Sequence, residues 1–67
     1  MIKDLDDLKT AAEQGDMDAQ YNLGVAYESG EGITKDFAEA AKWFRKAAAQ
    51  EHEFALFNLH GLFKESS

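Results

Sequence analysis

The sequence predicts an all-α protein in which four antiparallel helices stack as helix pairs. Three observations predict this class: an internal repeat of 36 residues, apolar residues spaced three and four apart, and the absence of proline. Spacings of three and four place side chains on one face of a helix, and proline is poorly tolerated inside one. Short connections between helices of this length make neighbouring helices antiparallel.

The internal repeat becomes visible when the sequence is shifted by 36 residues. Residues 11–14 then align with 47–50, and 21–23 align with 57–59. Small residues fall on small residues and aromatic residues on aromatic residues, as packing positions would require. A period of this length is typical of stacked helical repeats. We therefore predict a stack of helix pairs and not a closed four-helix bundle.

The first two predicted helices span residues 3–14 and 18–29. Gly15 is able to adopt the left-handed conformation that ends a helix. Asp16 is a predicted N-cap, because its short carboxylate accepts a hydrogen bond from the first turn of the next helix. A tight turn between the two helices follows.

The last two predicted helices span residues 35–49 and 53–65. The loop before them, residues 29–34, contains two glycines, which permit backbone angles closed to other residues. Thr34 and Asp36 are both candidate caps for the third helix. Four helices therefore account for nearly all of the sequence.

Composition excludes several classes of function. The chain carries 13 acidic and seven basic residues, a net charge of -6, and no cysteine. Thiol catalysis and cysteine-based zinc sites are excluded, and the negative charge opposes binding to nucleic-acid phosphates. No apolar run approaches the roughly 18 residues of a membrane span, and the first residues lack the apolar segment of a signal peptide. We expect a cytoplasmic protein with no nucleic-acid or membrane partner.

The histidines and the N-terminal aspartates, the candidate metal ligands of this sequence, have simpler explanations. His52 and His60 lie eight apart with no third ligand beside them. Asp4, Asp6 and Asp7 lack the glycine turn and bidentate glutamate of a calcium loop, and carboxylates at this position suit the positive end of a helix dipole. We predict no metal, no cofactor and no catalytic residue, and hence no enzyme.

A known family shares the longest motif of the chain. Residues 19–33, AQYNLGVAYESGEGI, followed by Asp36 and by residues 40–48, AAKWFRKAA, resemble a Sel-one-like repeat, a tetratricopeptide-related helical repeat. The Leu-Gly pair, the Gly-x-Gly turn and the tryptophan stand at the family spacings. The resemblance divides the single domain of residues 1–67 into the second helix of a half repeat (3–14), one full repeat (16–51) and the first helix of a truncated repeat (53–65).

The second copy departs from this pattern at two positions. Glu51 takes the place of Gly15, and His60 takes the place of Gly24. The glycine of the Leu-Gly pair normally allows close contact between helices. The fourth helix is therefore expected to pack differently from the second.

The resemblance implies a short right-handed α-solenoid that acts as an adaptor or scaffold for other proteins. Its concave face would be lined by the first helix of each pair. By motif position the implied protein-binding residues are Tyr21, Asn22, Val25 and Glu28, followed 36 residues later by Phe57, Asn58, Gly61 and Lys64. Asn22 and Asn58 would either form a short ladder that bonds a peptide backbone or bond neighbouring turns.

The fourth helix is more apolar than its counterpart, the second helix. Its large apolar residues surround nearly the whole circumference: Phe54, Leu56, Phe57, Leu59, Leu62 and Phe63. A terminal repeat usually presents a polar outer face, and a helix apolar all round is a buried helix. We therefore expect another protein surface to cover the fourth helix. That surface is either a second copy of the chain, which would give a homodimer through the fourth helix, or a different protein. The remaining alternative is a helix that wraps on the third and leaves a modest exposed patch.

Two functions of different class are consistent with these observations. The first is a non-enzymatic protein–protein interaction module that uses the concave face or the apolar fourth helix. The second is a small acidic inhibitor that blocks a basic site on an enzyme or on a nucleic-acid-binding machine. A third interpretation is a fragment of a longer array, because half repeats flank the full repeat.

Overall fold

The computed structural model describes residues 5–66, with side chains described for residues 5–61. Within this range the chain forms α1 (Leu5–Glu13), α2 (Met17–Ser29), α3 (Phe37–Ala49) and α4 (Glu53–Ser66), and no strand. Each helix packs against the next, and the most extensive contact lies between α2 and α3. The predicted all-α class with sequentially packed helices is confirmed. Residues 3 and 4 of the first predicted helix, including Asp4, lie outside the described residues.

The turn between α1 and α2 has the predicted geometry. Gly15 has a φ of 102°, a backbone conformation that residues with a Cβ rarely adopt. The Asp16 side chain caps α2, because its Oδ1 accepts a hydrogen bond of 3.0 Å from the backbone N–H of Ala19. The short turn brings α2 back along α1.

The loop between α2 and α3 selects one of the two predicted caps. Gly30 ends α2 in the left-handed conformation, with φ 78°, and its N–H donates to the Ala26 carbonyl. Asp36, not Thr34, caps α3: its Oδ1 accepts from the Glu39 N–H at 3.1 Å. The third helix consequently begins at Phe37, two residues later than predicted.

The turn between α3 and α4 repeats the first turn with different residues. Glu51 adopts φ 67° at the position that aligns with Gly15. His52 aligns with Asp16 and performs the same capping role, since its Nδ1 accepts a hydrogen bond from the Ala55 N–H at 3.2 Å. The chain therefore keeps the geometry of the repeat although neither residue is the preferred type.

Two apolar clusters form the core, and the 36-residue repeat relates them. The first joins α1, α2 and Trp43; its buried members are Ala12, Ala19, Leu23 and Trp43. The second joins α2, α3 and α4; its buried members are Ala40, Ala41, Phe44, Ala47 and Ala55. Ala19 and Ala55, which align, are both buried. The α1–α2 interface is thus built again as the α3–α4 interface.

A different contact joins α2 to α3. Gly24 lies so close to the buried Phe44 ring that a Cβ at this position would meet Phe44 Cε1 at 2.6 Å. Only a glycine allows this approach. Beside it, the Gln20 side chain donates to the Ala12 carbonyl at 3.0 Å and accepts from Gln50 Nε2 at 3.0 Å. These bonds connect α1, α2 and the end of α3.

Candidate protein-binding surface

An aromatic cluster joins the N-terminal halves of α2 and α4. The Tyr21 ring stacks on the His52 ring, with centroids 4.7 Å apart and planes at 16°. Phe54 lies 6.3 Å from Tyr21, and Phe44 lies 5.9 Å from it on the buried side. Tilted and offset rings at these distances attract one another. The cluster fixes the position of α4 beside α2.

His52 contributes both of its ring nitrogens to this junction. Because Nδ1 accepts from the Ala55 N–H, the ring proton is placed on Nε2. Nε2 lies 3.2 Å from Asp18 Oδ1, a carboxylate oxygen able to accept it. Sequence reasoning assigned no capping role to this histidine. The signal that identifies it is the alignment of His52 with the capping Asp16.

The residues predicted for the concave face have different exposures. Asn22 is exposed, whereas Val25, Glu28 and Asn58 are half-buried. Tyr21 is half-buried and packs against the second core cluster. The Lys64 side chain lies outside the described residues. The assignment of these residues to a binding face stays a prediction.

The apolar fourth helix is only partly covered by the described chain. Ala55 is buried and Leu59 is half-buried against α3. Phe54 is 68% exposed, Leu56 47% and Phe57 78%. The side chains of Leu62 and Phe63, also predicted for this surface, lie outside the described residues.

A groove runs along the exposed side of α4. It has a volume of about 580 Å³ and is lined by Leu56, Phe57, His60 and Gly61. Its walls are mainly apolar, which is typical of sites that receive another hydrophobic element. We call the groove that these four residues line the α4 groove.

The described residues form neither a cluster of metal ligands nor a membrane-spanning helix. Among them, no group of three or more His, Cys, Asp or Glu side chains is arranged to hold a metal ion. None of the helices in residues 5–66 is long and apolar enough to span a bilayer.

Trp43, a residue of the family motif, is buried, with Lys42 and Lys46 over its ring.

Comparison with known proteins assigns these features to one repeat family. The sequence pattern of the Sel1 repeat matches residues 18–52, which include all of α2 except Met17, all of α3 and the capping His52. This range contains the Gly24–Phe44 contact and the stacked ring of Tyr21.

Three curated relatives show the same similarity. The DAP3-binding cell death enhancer 1 of Rattus norvegicus is 40% identical over 53 residues, 79% of this chain and 10% of the relative. The putative sel1-like repeat-containing protein L18 of Acanthamoeba polyphaga mimivirus is 43% identical over 51 residues, 76% of this chain and 9% of that protein. The secretory immunoglobulin A-binding protein EsiB of Escherichia coli O6:H1 is 46% identical over 43 residues, 64% of this chain and 9% of that protein.

The similarity is confined to a small part of each relative. The chain spans about a tenth of the length of these curated proteins. No solved structure matches it. The comparisons therefore describe the repeat and not the activity of any whole protein.

Proposed function

Because the chain belongs to the Sel1 repeat family, we propose that it binds a segment of a partner protein across the surface that joins α2 to α4. Sel1 repeats are typically protein-interaction modules and are generally non-catalytic. Two of the relatives are named for a protein they bind, DAP3 in one case and secretory immunoglobulin A in the other. A protein partner for this chain is consistent with both names.

The exposed ring of Phe54 beside Tyr21 is the observation that carries this proposal. An aromatic side chain that is 68% exposed on a helix is an anchor of the kind that dominates protein interfaces. Asn22 and Asn58 occupy equivalent positions on α2 and α4. Each carboxamide offers two donors and an acceptor, the groups needed to bond the N–H and C=O of a peptide backbone.

A peptide selection tests the proposal without requiring that the partner be identified. Peptides selected from a random library on the 67-residue chain are compared on the chain itself and on Asn22→Ala, Asn58→Ala and Phe54→Asp. We expect each asparagine substitution to weaken binding about fivefold or more, because loss of one hydrogen bond buried in the complex costs about 1–3 kcal/mol. Phe54→Asp should weaken it at least as much, because it removes an aromatic anchor from the interface. Ser29→Ala, an exposed substitution at the end of α2, is the control. Selected peptides that bind all of these variants equally would contradict the proposal.

Self-association through α4 is the second function that a specific observation supports. Phe57 is 78% exposed and Leu56 47%, and both line the α4 groove. Burying apolar surface stabilises an interface by about 25 cal/mol per Å² removed from water. A second copy of the chain supplies an apolar surface of its own, so a homodimer through α4 is proposed. Solution mass measured over a wide dilution series tests it.

The acidic balance supports a further alternative, in which the chain inhibits a partner by covering its basic site. The net charge of -6 would accelerate encounter with a basic surface and make the affinity depend on salt. A partner that binds equally well at low and high salt would exclude this mechanism. It would leave the apolar surfaces as the basis of binding.

A further inference from the structure

The basic residues of this acidic chain are concentrated at one place, on α3 and the residues just before it. Residues 35–46 contain four of the seven basic residues and two of the 13 acidic ones, so this segment is net positive. Lys42 and Lys46 lie four residues apart, which places them on one face of α3 with Cβ atoms about 5–6 Å apart. Both lysines are exposed. The centre of the chain thus presents two ammonium groups side by side.

The Trp43 ring holds both of these ammonium groups. Lys42 Nζ lies 5.3 Å and Lys46 Nζ 5.7 Å from the centroid of this ring, and a cation within about 6 Å of an aromatic ring is attracted to it. The ring is itself fixed in the first core cluster and is 8% exposed. A fixed ring that attracts two flexible side chains restricts them, which reduces the entropy that they lose on binding a partner. We call Lys42 and Lys46 the Trp43 lysine pair.

The charge of the pair is only partly neutralised within the described chain. Like charges four residues apart destabilise a helix. Glu39 Oε1 lies 3.7 Å from Lys42 Nζ, near the limit of about 4 Å for an ion pair. Among the side chains of residues 5–61, no carboxylate forms an ion pair with Lys46. A carboxylate supplied by another molecule would therefore relieve the repulsion between the two ammonium groups.

Packing of the repeat does not account for the pair. The positions 36 residues earlier, on α1, are Asp6 and Thr10, and both are exposed. The α1–α2 interface is the counterpart of the α3–α4 interface, and it forms without a lysine at either position. The two lysines are thus a feature of α3 that the shared helix packing does not require.

From these observations we propose that the Trp43 lysine pair binds a short acidic segment of a partner protein, with one carboxylate beside each ammonium group. Two acidic residues one helical turn apart would match the spacing of the pair. The length of the segment is limited, because acidic residues outnumber basic ones in the rest of the chain. A nucleic acid would extend its phosphates over that acidic surface, which opposes its binding. The site uses none of the residues proposed for the surface that joins α2 to α4, so it goes beyond the proposed function.

An NMR titration with a defined peptide tests the inference. The probe is an end-blocked, alanine-rich helical peptide with two glutamates four residues apart, and the same peptide with two glutamines is its matched control. Trp43 is the single tryptophan of the chain, so its indole N–H resonance reports binding at the pair. Lys42→Gln and Lys46→Gln each remove one charge from the pair, whereas Lys35→Gln removes the same charge from a lysine over the Phe37 ring. All three lysines are exposed, and the amide spectra verify the fold of each variant.

Binding at the pair predicts a specific pattern of shifts and affinities. The glutamate peptide should shift the Trp43 indole resonance and the neighbouring amide resonances of α3, and the glutamine peptide should not. Lys42→Gln and Lys46→Gln should each raise the Kd about two- to fivefold, the range expected for one exposed ion pair. Lys35→Gln should bind like the parent chain. Added salt should weaken the binding, because it screens exposed charges.

Other results would overturn the inference, each for its own reason. Absence of a Trp43 shift at millimolar peptide, or equal Kd values for the two peptides, would show that the pair does not recognise carboxylates. Equal losses in Lys35→Gln and Lys46→Gln would show that only the net charge matters. A single-stranded oligonucleotide that bound more tightly at the same resonances would assign the pair to phosphates. Salt-sensitive shifts of the Trp43 indole on dilution of the chain alone would assign it to a second copy.

Discussion

The close approach of Gly24 to Phe44 leads to a specific prediction about how substitutions at Gly24 change the stability of the fold. Replacing Gly24 by alanine adds one methyl group at a site where the Phe44 ring atoms lie 2.6 and 2.7 Å away. Carbon atoms in contact are normally separated by about 3.5–4.0 Å. Because Phe44 is fully buried, its ring cannot move into solvent, and α2 and α3 must separate by about 1 Å to restore that contact distance.

The expected free-energy change combines two opposing terms. Alanine is favoured over glycine inside a helix by about 1 kcal/mol, whereas overpacking a core costs about 1–3 kcal/mol. Gly61 provides the matched control, because it is also helical and a Cβ there meets no atom within 4 Å. Gly61→Ala therefore receives the gain without the clash. We expect Gly24→Ala to be less stable than Gly61→Ala by about 1–3 kcal/mol.

Chemical or thermal unfolding, followed by circular dichroism in dilute solution, measures the difference. For a domain of this size, about 1 kcal/mol corresponds to about 4–8 °C in Tm. The double variant Gly24→Ala with Phe44→Leu should lose less than the sum of its parts, since the smaller side chain accommodates the methyl group. If Gly24→Ala is as stable as Gly61→Ala, the helix contact is not limited by this glycine and the reasoning is refuted.

Three further substitutions test the hydrogen bonds and the turns, each by the same unfolding measurement. Gln20→Ala should destabilise the fold by about 1–3 kcal/mol, because it removes the acceptor for Gln50 Nε2 and the donor to α1. His52→Ala should lose about 1 kcal/mol of capping, whereas His52→Asn should retain most of it through a side-chain oxygen that bonds the Ala55 N–H; equal stabilities would exclude the capping role. Glu51→Gly should stabilise the chain by about 1 kcal/mol, since glycine adopts φ 67° without the steric cost of a Cβ, and a loss would show that the Glu51 side chain makes a compensating contact.

The fold was predictable because the same pattern of packing residues occurs twice in the sequence, 36 residues apart. Ala19 and Ala55 occupy equivalent buried positions, and the shift that aligns them also aligns the turns around Gly15 and Glu51. The helix period and the turn residues depend on local chemistry, which a sequence contains. The choice of Asp36 over Thr34 as the cap of α3 depends on how the preceding loop places each residue, so both stayed candidates.

The candidate surface was predictable only in part, for two physical reasons. Histidine is not a preferred N-cap residue, so its residue type gave no reason to assign His52 as the cap of α4, and only its alignment with Asp16 does so. The Gln20–Gln50 bond joins residues 30 positions apart, and such a bond depends on tertiary geometry. Exposure of Phe54 and Phe57 likewise follows from which helices are present beside α4.

The differences between α2 and α4 explain why the fold is easier to predict from the sequence than the binding partner. On the side that faces the preceding helix, the copies agree, with Ala19 and Leu23 matched by Ala55 and Leu59. The side that faces the following helix has changed: a buried glutamine has become Leu56, and a glycine has become His60. If this side of α4 packed on a helix like α3, its side chains would need sizes similar to those on α2, because close-packed interfaces tolerate few changes in side-chain size. The changed side of α4 therefore fits a surface different from that of α3.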